Sequence, residues 1–457
     1  MPVFAQRHAW SESISLKDGE TVQHLGAWNQ SGSCIITANT NTVRVHLLDE
    51  ELAVAHTHTL AIDAPWTVLR ARGLVLDGQS FMAVVAENSA RSERACRLYS
   101  VEAGGINLLS ELDKAAKANA STLPDHHVAV SRDGSHLAVY RENAHLTGEK
   151  ETGNIKVFSA EGELVWERDV NLELESKRKR YNLVQVDSLG NVFFLKRFAD
   201  KEDQLFYLSR YSRNASEDLR IRLNVSGQKI YEVAMQLERN GQVTIAGFTG
   251  ITSLALYEGY FYYRYTPQLT LLVSTVDRFR DDLLKQIAVK QAIKKPGLED
   301  FYIRRLEPQG PHTLLFLEHT RASQQKNSKA PNGIDRLATF GPLVMFRMDD
   351  KGNIVSSQHV AYSLTAAENL SEIASGAPMF FNGIAGLVYT MPNKGEGLGT
   401  VNAVLAGNKS GAQAAPYAIT DAPDGYYPDG SFGFGGETFT GLWKNNPTNA
   451  VVVFRIQ

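Results

Sequence analysis

Residues 123–170 read LPDHHVAVSRDGSHLAVYRENAHLTGEKETGNIKVFSAEGELVWERDV. Val128, Val130, Leu137, Val139, Ile155, Val157, Leu164 and Trp166 recur at the two-residue spacing of strands with a buried face. Between these runs stand Asp133-Gly134 and Glu161-Gly162, pairs tolerated at the φ > 0 positions of tight hairpin turns. The stretch therefore predicts a four-stranded antiparallel meander. One such sheet cannot cover both of its own faces, so it requires neighbours of the same kind around an axis.

Similar groups of strand-like runs lie on both sides of it, over residues 22–59, 66–109, 181–223, 230–274, 301–360 and 379–456. Asn240-Gly241, between EVAMQLER and QVTIAGF, is the clearest hairpin signal among them. Seven groups predict an all-β fold, a seven-bladed β-propeller, with six or eight blades also fitting because the first and last groups have soft edges. Residues 1–20 are expected to form an extension or an edge strand, and residues 21–457 a single propeller domain. The last strand, near Val451-Val452-Val453-Phe454, is placed to share a blade with N-terminal strands and so remove an exposed edge.

One element breaks the β pattern. Thr275 can cap a helix, Val276, Phe279, Leu283 and Ile287 recur at three and four residues, and Pro296-Gly297 ends the run, so a helical insertion is expected near residues 276–294. Two long loops are expected as well. One is the polar stretch 321–336; the other is 421–436, rich in Gly, Pro and Asp.

Composition narrows the function classes. The chain has 457 residues, 47 basic against 50 acidic, and a formal net charge of −3, which gives no footprint for nucleic acid. No apolar run reaches the roughly 18 residues of a membrane-spanning helix. Pro2-Val3-Phe4-Ala5-Gln6 has small residues where the end of a removed secretory segment would have them. A secreted, periplasmic or cell-surface location is expected on that basis, with an ordinary cytoplasmic start as the alternative. Cys34 and Cys96 both lie in strand-like runs, as buried thiols or as a bridge between the first two sheets.

The segment 230–358 resembles uncharacterised, usually secreted proteins of the Bacteroidetes with propeller-like β repeats. The resemblance is carried by EVAMQLERNGQVTIAGFTG (232–250) with the aromatic strand GYFY (259–262), by the helical joint, and by FYIRRLEPQGPHTLLFLEHT (301–320) followed by FGPLVMFRMDDKGNIVSSQHV (340–360). Gln309-Gly310-Pro311-His312 stands where such proteins tend to have a Gly-Gly turn. The resemblance implies a fold and no catalytic residue.

No HExxH, paired metal cysteines, GxSxG or P-loop occurs, and no cofactor is expected. His56 and His58 share a strand face, and His126-His127 open another strand; such pairs could ligate a metal if a carboxylate converged on them, or be strand or loop histidines satisfied by backbone groups, which is the commoner case. Asp421, Asp424 and Asp429 on a Gly-rich loop offer the hard oxygen ligands that suit calcium, although acidic turns also occur without an ion. Tyr426, Tyr427, Phe432 and Phe434, interleaved with glycine, could make a recognition platform or pack the loop onto its own blade.

Two functional classes follow. The first is a non-enzymatic extracytoplasmic binding or scaffold protein recognising a protein or glycan partner. The second is a carbohydrate-active propeller hydrolase or lyase, with Glu87, Glu142 and Glu318 near strand ends as candidate carboxylates.

Overall fold

In the computed structural model of the chain, residues 8–28, 32–116, 123–143, 150–175, 181–200, 203–214, 218–251, 256–287, 297–326, 334–360, 364–367, 377–381, 384–392, 399–405, 417–419, 427–434, 438–445 and 450–456 are described. They form eight blades, each built on four antiparallel strands side by side, with a further short strand in two of them, and a separate two-stranded sheet of Leu256–Tyr257 and Leu298–Glu299; seven blades are meanders in chain order. The innermost strands are Thr21–Ala27, Trp66–Leu76, Asp125–Val130, Tyr181–Val186, Lys229–Leu237, Phe301–Gln309, Ala377–Phe381 and Tyr427–Phe434, taken as blades 1 to 8. Each innermost strand touches the next blade, and that of blade 1 touches that of blade 8, so the sheets close into a propeller.

Eight blades stand at the upper end of the expected range. The extra blade comes from residues 379–456, which divide into blade 7 (Ala377–Phe381, Ile384–Pro392, Gly399–Leu405, Tyr417–Ile419) and blade 8. Within the expected loop 421–436, Tyr427–Phe434 is a strand that pairs with Thr438–Asn445. Glycines at 430 and 433 suggested a loop, but the ladder tolerates them.

Closure joins the chain ends. Ala450–Ile456 is the third strand of blade 8, and His8–Trp10 pairs along it as the fourth, His8 opposite Ile456 and Trp10 opposite Phe454. Ile14–Ser15 pairs with the same strand at Val451 and Ala450. The last strand therefore has no unpaired edge along most of its length.

The second strands of the blades explain the core. In Val192–Asp200, Val192 and Phe194 pack toward blade 3, while Phe193 and Leu195 pack toward blade 5. In Gln79–Asn88, Met82 and Val84 face blade 1, and Phe81, Ala83 and Val85 face blade 3. Successive side chains thus enter successive inter-blade cores, so these strands read as continuous apolar runs. Filling a core on both sides makes each large residue costly to lose; an alanine at Phe193 removes about 3–5 kcal/mol.

The turns sort onto two faces. Among the described residues, tight turns join first to second strands and third to fourth strands in several blades. Gly241, at φ 79°, closes the turn at Asn240, with Glu238 N donating to Gln242 O at 2.8 Å. DSLGN (187–191) and DDKGN (349–353) repeat one device: Asp187 and Asp349 accept from the amides two and four residues on, and Gly190 and Gly352 take positive φ. On this face Arg132 of blade 3 reaches Glu307 on the inner strand of blade 6 at 3.1 Å. The connections from one blade to the next, and those between second and third strands, emerge on the opposite, long-loop face.

That face carries the helix. It spans Asp281–Ile287, shorter than expected, because Val276 and Thr275 belong to the strand Leu271–Arg278; the Thr275 hydroxyl donates to Lys351 O instead of capping. Phe279, Leu283 and Ile287 are buried against blades 5 and 6, the stripe expected of it. Residues 288–296 lie outside the described residues. Of residues 321–336, read as a loop, 321–326 and 334–336 instead prolong two paired strands of blade 6, Arg321 opposite Thr339 and Lys326 opposite Ile334, and 327–333 lie outside the described residues. The polar composition reflects exposure, as residues 321–324 project into solvent.

Removing residues 450–457 deletes the strand on which both N-terminal strands pair. The truncated chain should lose its single cooperative thermal transition and aggregate; an unchanged melting curve would show that the ring closes without it.

Candidate binding site on the axial channel

Four inner strands carry a β-bulge near their long-loop end: between Val22 and His24, Val68 and Arg70, Ile230 and Val233, and Ile303 and Arg305. A bulge bends the strand and re-aims the residues beside it. Here those residues include His24, Arg70, Glu232 and Arg304, so polar groups appear along the channel where a regular strand would alternate.

The densest polar cluster joins blades 2, 3 and 4. Asp113, on the outer strand Gly105–Ala116 of blade 2, is buried and receives His126 Nε2 at 2.8 Å, Arg141 Nη1 at 3.1 Å and Lys156 Nζ at 2.9 Å, one from each of the first three strands of blade 3. Burial alone would raise its carboxyl; the hydrogen bonds from His126 and Lys156 and the Arg141 charge outweigh this and hold it well below the usual range. Lys196, buried on blade 4, meets Glu142 at 3.6 Å and also contacts Glu151. His127 Nε2 lies 3.6 Å from Glu142 and 4.0 Å from Asp125. Asp125 in turn contacts Arg70 and lies 3.4 Å from Arg94, which holds Glu87 at 2.8 Å.

A cavity of about 330 Å³ opens beside this cluster, between the inner strands of blades 2, 3 and 4. Its polar wall is Arg70, Arg72 and His127; Val128, Leu183 and Val184 supply an aliphatic wall. Arg70 Nη2 donates to His126 O at 2.9 Å and Arg72 Nη1 to Val128 O at 3.0 Å, so the arginines of one inner strand satisfy carbonyls of the next. Arg72 is exposed at the cavity, and the protein packed along its side chain partly desolvates it, which lowers its pKa. His24 packs over Gly26 and Gly73, where any Cβ would overlap its ring. Burial and the Arg72 charge lower its pKa to about 4.

A second cluster lies between blades 5 and 6. Burial raises the Glu232 carboxyl, against the charges of Arg197 and Arg304. Tyr231 and Tyr257 form a tilted ring pair near it, with centroids 5.5 Å apart, and burial, then the charge of Glu232, raise the Tyr257 hydroxyl.

Of the residues singled out in the sequence, Glu87 and Glu142 come together in the first network, each held by a cation. Glu318 lies in blade 6, bound to Arg304. Tyr427, Asp429, Phe432 and Phe434 lie on the inner strand of blade 8; Tyr426, Asp421 and Asp424 fall outside the described residues. His56 and His58 stack on each other at 5.9 Å, and His126 is taken up by Asp113. Cys34 and Cys96 are free buried thiols, both pushed up to about 12 by burial. The residues missed are Arg70, Arg72, Asp113, Lys196 and Glu232. RAR in LRARGLVL put two arginines on one strand face, and the lysines inside NIKVFS and VFFLKRF marked buried charge in otherwise apolar strands.

No family model matches the chain, and no curated protein matches it in sequence. Among solved structures it is similar to the β-propeller domain of the Trilobed protease from Pyrococcus furiosus, at 9% identity over 90% of this chain and 98% of that one, with a TM-score of 0.43. It is also similar to prolyl oligopeptidase B from Galerina marginata (9%, 95% and 55%, 0.45) and to an α-L-arabinanase from Penicillium chrysogenum (12%, 66% and 91%, 0.38). The chain spans about half the length of the oligopeptidase. Among the described residues no helix is long and apolar enough to cross a membrane.

Replacing Asp113 with Asn leaves Lys156 and Arg141 without their shared carboxylate; a loss of about 3–5 kcal/mol is expected in denaturant titration. A loss below 1 kcal/mol would show that the cations find other partners.

The buried histidines set a pH dependence. His46, 3% exposed, is lowered to about 4 by burial and by Arg44, against the opposing charge of Glu20. Its unfolded value is near 6.5, so the unfolded chain binds the proton first as pH falls. Stability from this group is fully present above about pH 6.5 and drains away toward pH 4, by at most about 3 kcal/mol. Melting temperatures at pH 7 and pH 4.5 should therefore differ less in His46→Asn than in the parent; an equal difference would remove His46 from the account.

Proposed function

We propose that the protein is a non-enzymatic binding propeller that recognises a segment of a protein partner at the long-loop mouth of its axial channel. One observation carries this reading: around the axial cavity the carboxylates are engaged by cations, while the groups that line it are Arg70, Arg72, His127 and aliphatic side chains. Glycoside cleavage needs two carboxyl groups about 5–9.5 Å apart, one of them carrying a proton near neutral pH. Asp113 is driven the opposite way. Tyr427, Phe432 and Phe434, on the inner strand of blade 8, are proposed to belong to the same binding surface.

A glycan-directed hydrolase or lyase is the second reading, and Glu232 supports it. Its carboxyl is raised, as a general acid requires, and tyrosines stand beside it.

A hexapeptide library and an array of neutral and acidic glycans separate the readings. Saturable peptide binding without turnover is expected. Release of reducing ends from any glycan, abolished in Glu232→Gln with folding intact, would overturn the binding role and leave the enzyme.

A further inference from the structure

Resting on the reading above, we infer that the cavity between the inner strands of blades 2, 3 and 4 captures the C-terminal carboxylate of a peptide whose last residue is aliphatic, with Arg72 as the anion-binding group. The observation is an imbalance of charge. The neighbouring Arg70 is neutralised by Asp125, and Arg94, Arg141, Lys156 and Lys196 each have a carboxylate. Arg72 is hydrogen-bonded to the Val128 carbonyl, and among the described residues no carboxylate pairs with it.

Arg72 is exposed at the cavity and among the described residues carries no counter-charge, so an anionic ligand can pair with it directly. The planar group also presents several donors, and one carbonyl engages a single edge, which leaves geometry for a carboxylate. His127 stands on the same wall as a further polar contact.

The rest of the lining selects the class of anion. Val128, Leu183 and Val184 form an aliphatic surface. A uronate sugar would be expected to stack on Phe, Tyr or Trp, and among the described residues the cavity lining has none of these. At about 330 Å³ the space is at the small end of ligand pockets, enough for a chain terminus and too small for a folded surface. Capture of a terminal carboxylate by fixed donors, with a pocket for the last side chain, is an established mode of peptide recognition.

The probe is a set of fluorescent hexapeptides ending in Leu or Val, each made with a free carboxylate and as the C-terminal amide. The free acids should bind, and amidation or Arg72→Gln should weaken binding by about tenfold or more. A second readout is independent of affinity. The Arg72 charge depresses His24, so a bound carboxylate should raise the His24 titration midpoint in a selectively labelled sample. Should Arg72→Gln fail to fold, Arg72→Lys keeps the charge and loses the fork, and the amide comparison on the parent protein stands alone. Equal binding of acids and amides, with no shift at His24, would overturn the carboxylate assignment and leave peptide recognition standing. Absence of binding by any peptide would overturn both. Arg72-dependent binding of an oligouronate in place of the peptides would reassign the cavity to an acidic glycan.

Discussion

Asp113 shows what the ring demands of its polar groups. It sits on the outer strand of one blade and is reached by cations from three strands of the next. No water-exposed surface is available between packed blades, so a charge placed there must be matched within hydrogen-bonding distance or it would destabilise the fold. The same rule holds at the neighbouring junction, where Lys196 of blade 4 is met by Glu142 and Glu151 of blade 3. It holds again near closure: Glu20, in the link between the N-terminal strands and blade 1, binds Arg44 on that blade's third strand, and Arg44 also donates to Ser15 O. These pairs lie toward the long-loop face. The apolar cores hold the blades together, and the ion pairs fix their orientation at the rim.

The two faces differ for a physical reason. Tight turns with an Asp acceptor and a glycine at positive φ spend few residues and expose little beyond backbone. They leave the opposite face to every connection between blades, including the helix Asp281–Ile287, and to the paired strands that prolong blade 6. Inner-strand bulges fall at the same end. Variation in loop length and in side-chain direction is therefore concentrated where a ligand can approach, while the regular face carries closure across the axis through Arg132 and Glu307.

Much of the architecture was legible because its signals are local. Alternating valines in HHVAV and HLAVY, glycine after Asp or Asn at turns, and the Phe279–Leu283–Ile287 stripe each report a short-range preference, and the structure honours them. Two regions were misread for the opposite reason. YPDGSFGF (427–434) has the composition of a loop, yet it becomes a strand because the ring has a blade to complete. The polar run after residue 320 becomes a ladder because the strands below it set its register. The site was least legible. Lys156 and Lys196 inside apolar strands marked buried charge, but nothing local says that Asp113 lies 43 residues from one of them in sequence and 2.9 Å away in space.

The pairing rule also gives the channel its character. The junctions of blade 3 with blades 2 and 4 draw in carboxylates, because each contains a buried lysine, arginine or histidine that needs one. Asp113, Asp125, Glu142 and Glu151 are thereby taken up inside the ring or at its rim. The arginines on the inner strand of blade 2 face a different demand, since they must cover the carbonyl edge of blade 3. A carbonyl accepts a hydrogen bond but does not neutralise a charge. Arg70 obtains its neutralisation from Asp125 at the mouth; Arg72, one strand repeat deeper, bonds the Val128 carbonyl and among the described residues pairs with no carboxylate. Positive potential in the cavity is thus a consequence of how the ring seals its own edges, and it is the property a ligand would read.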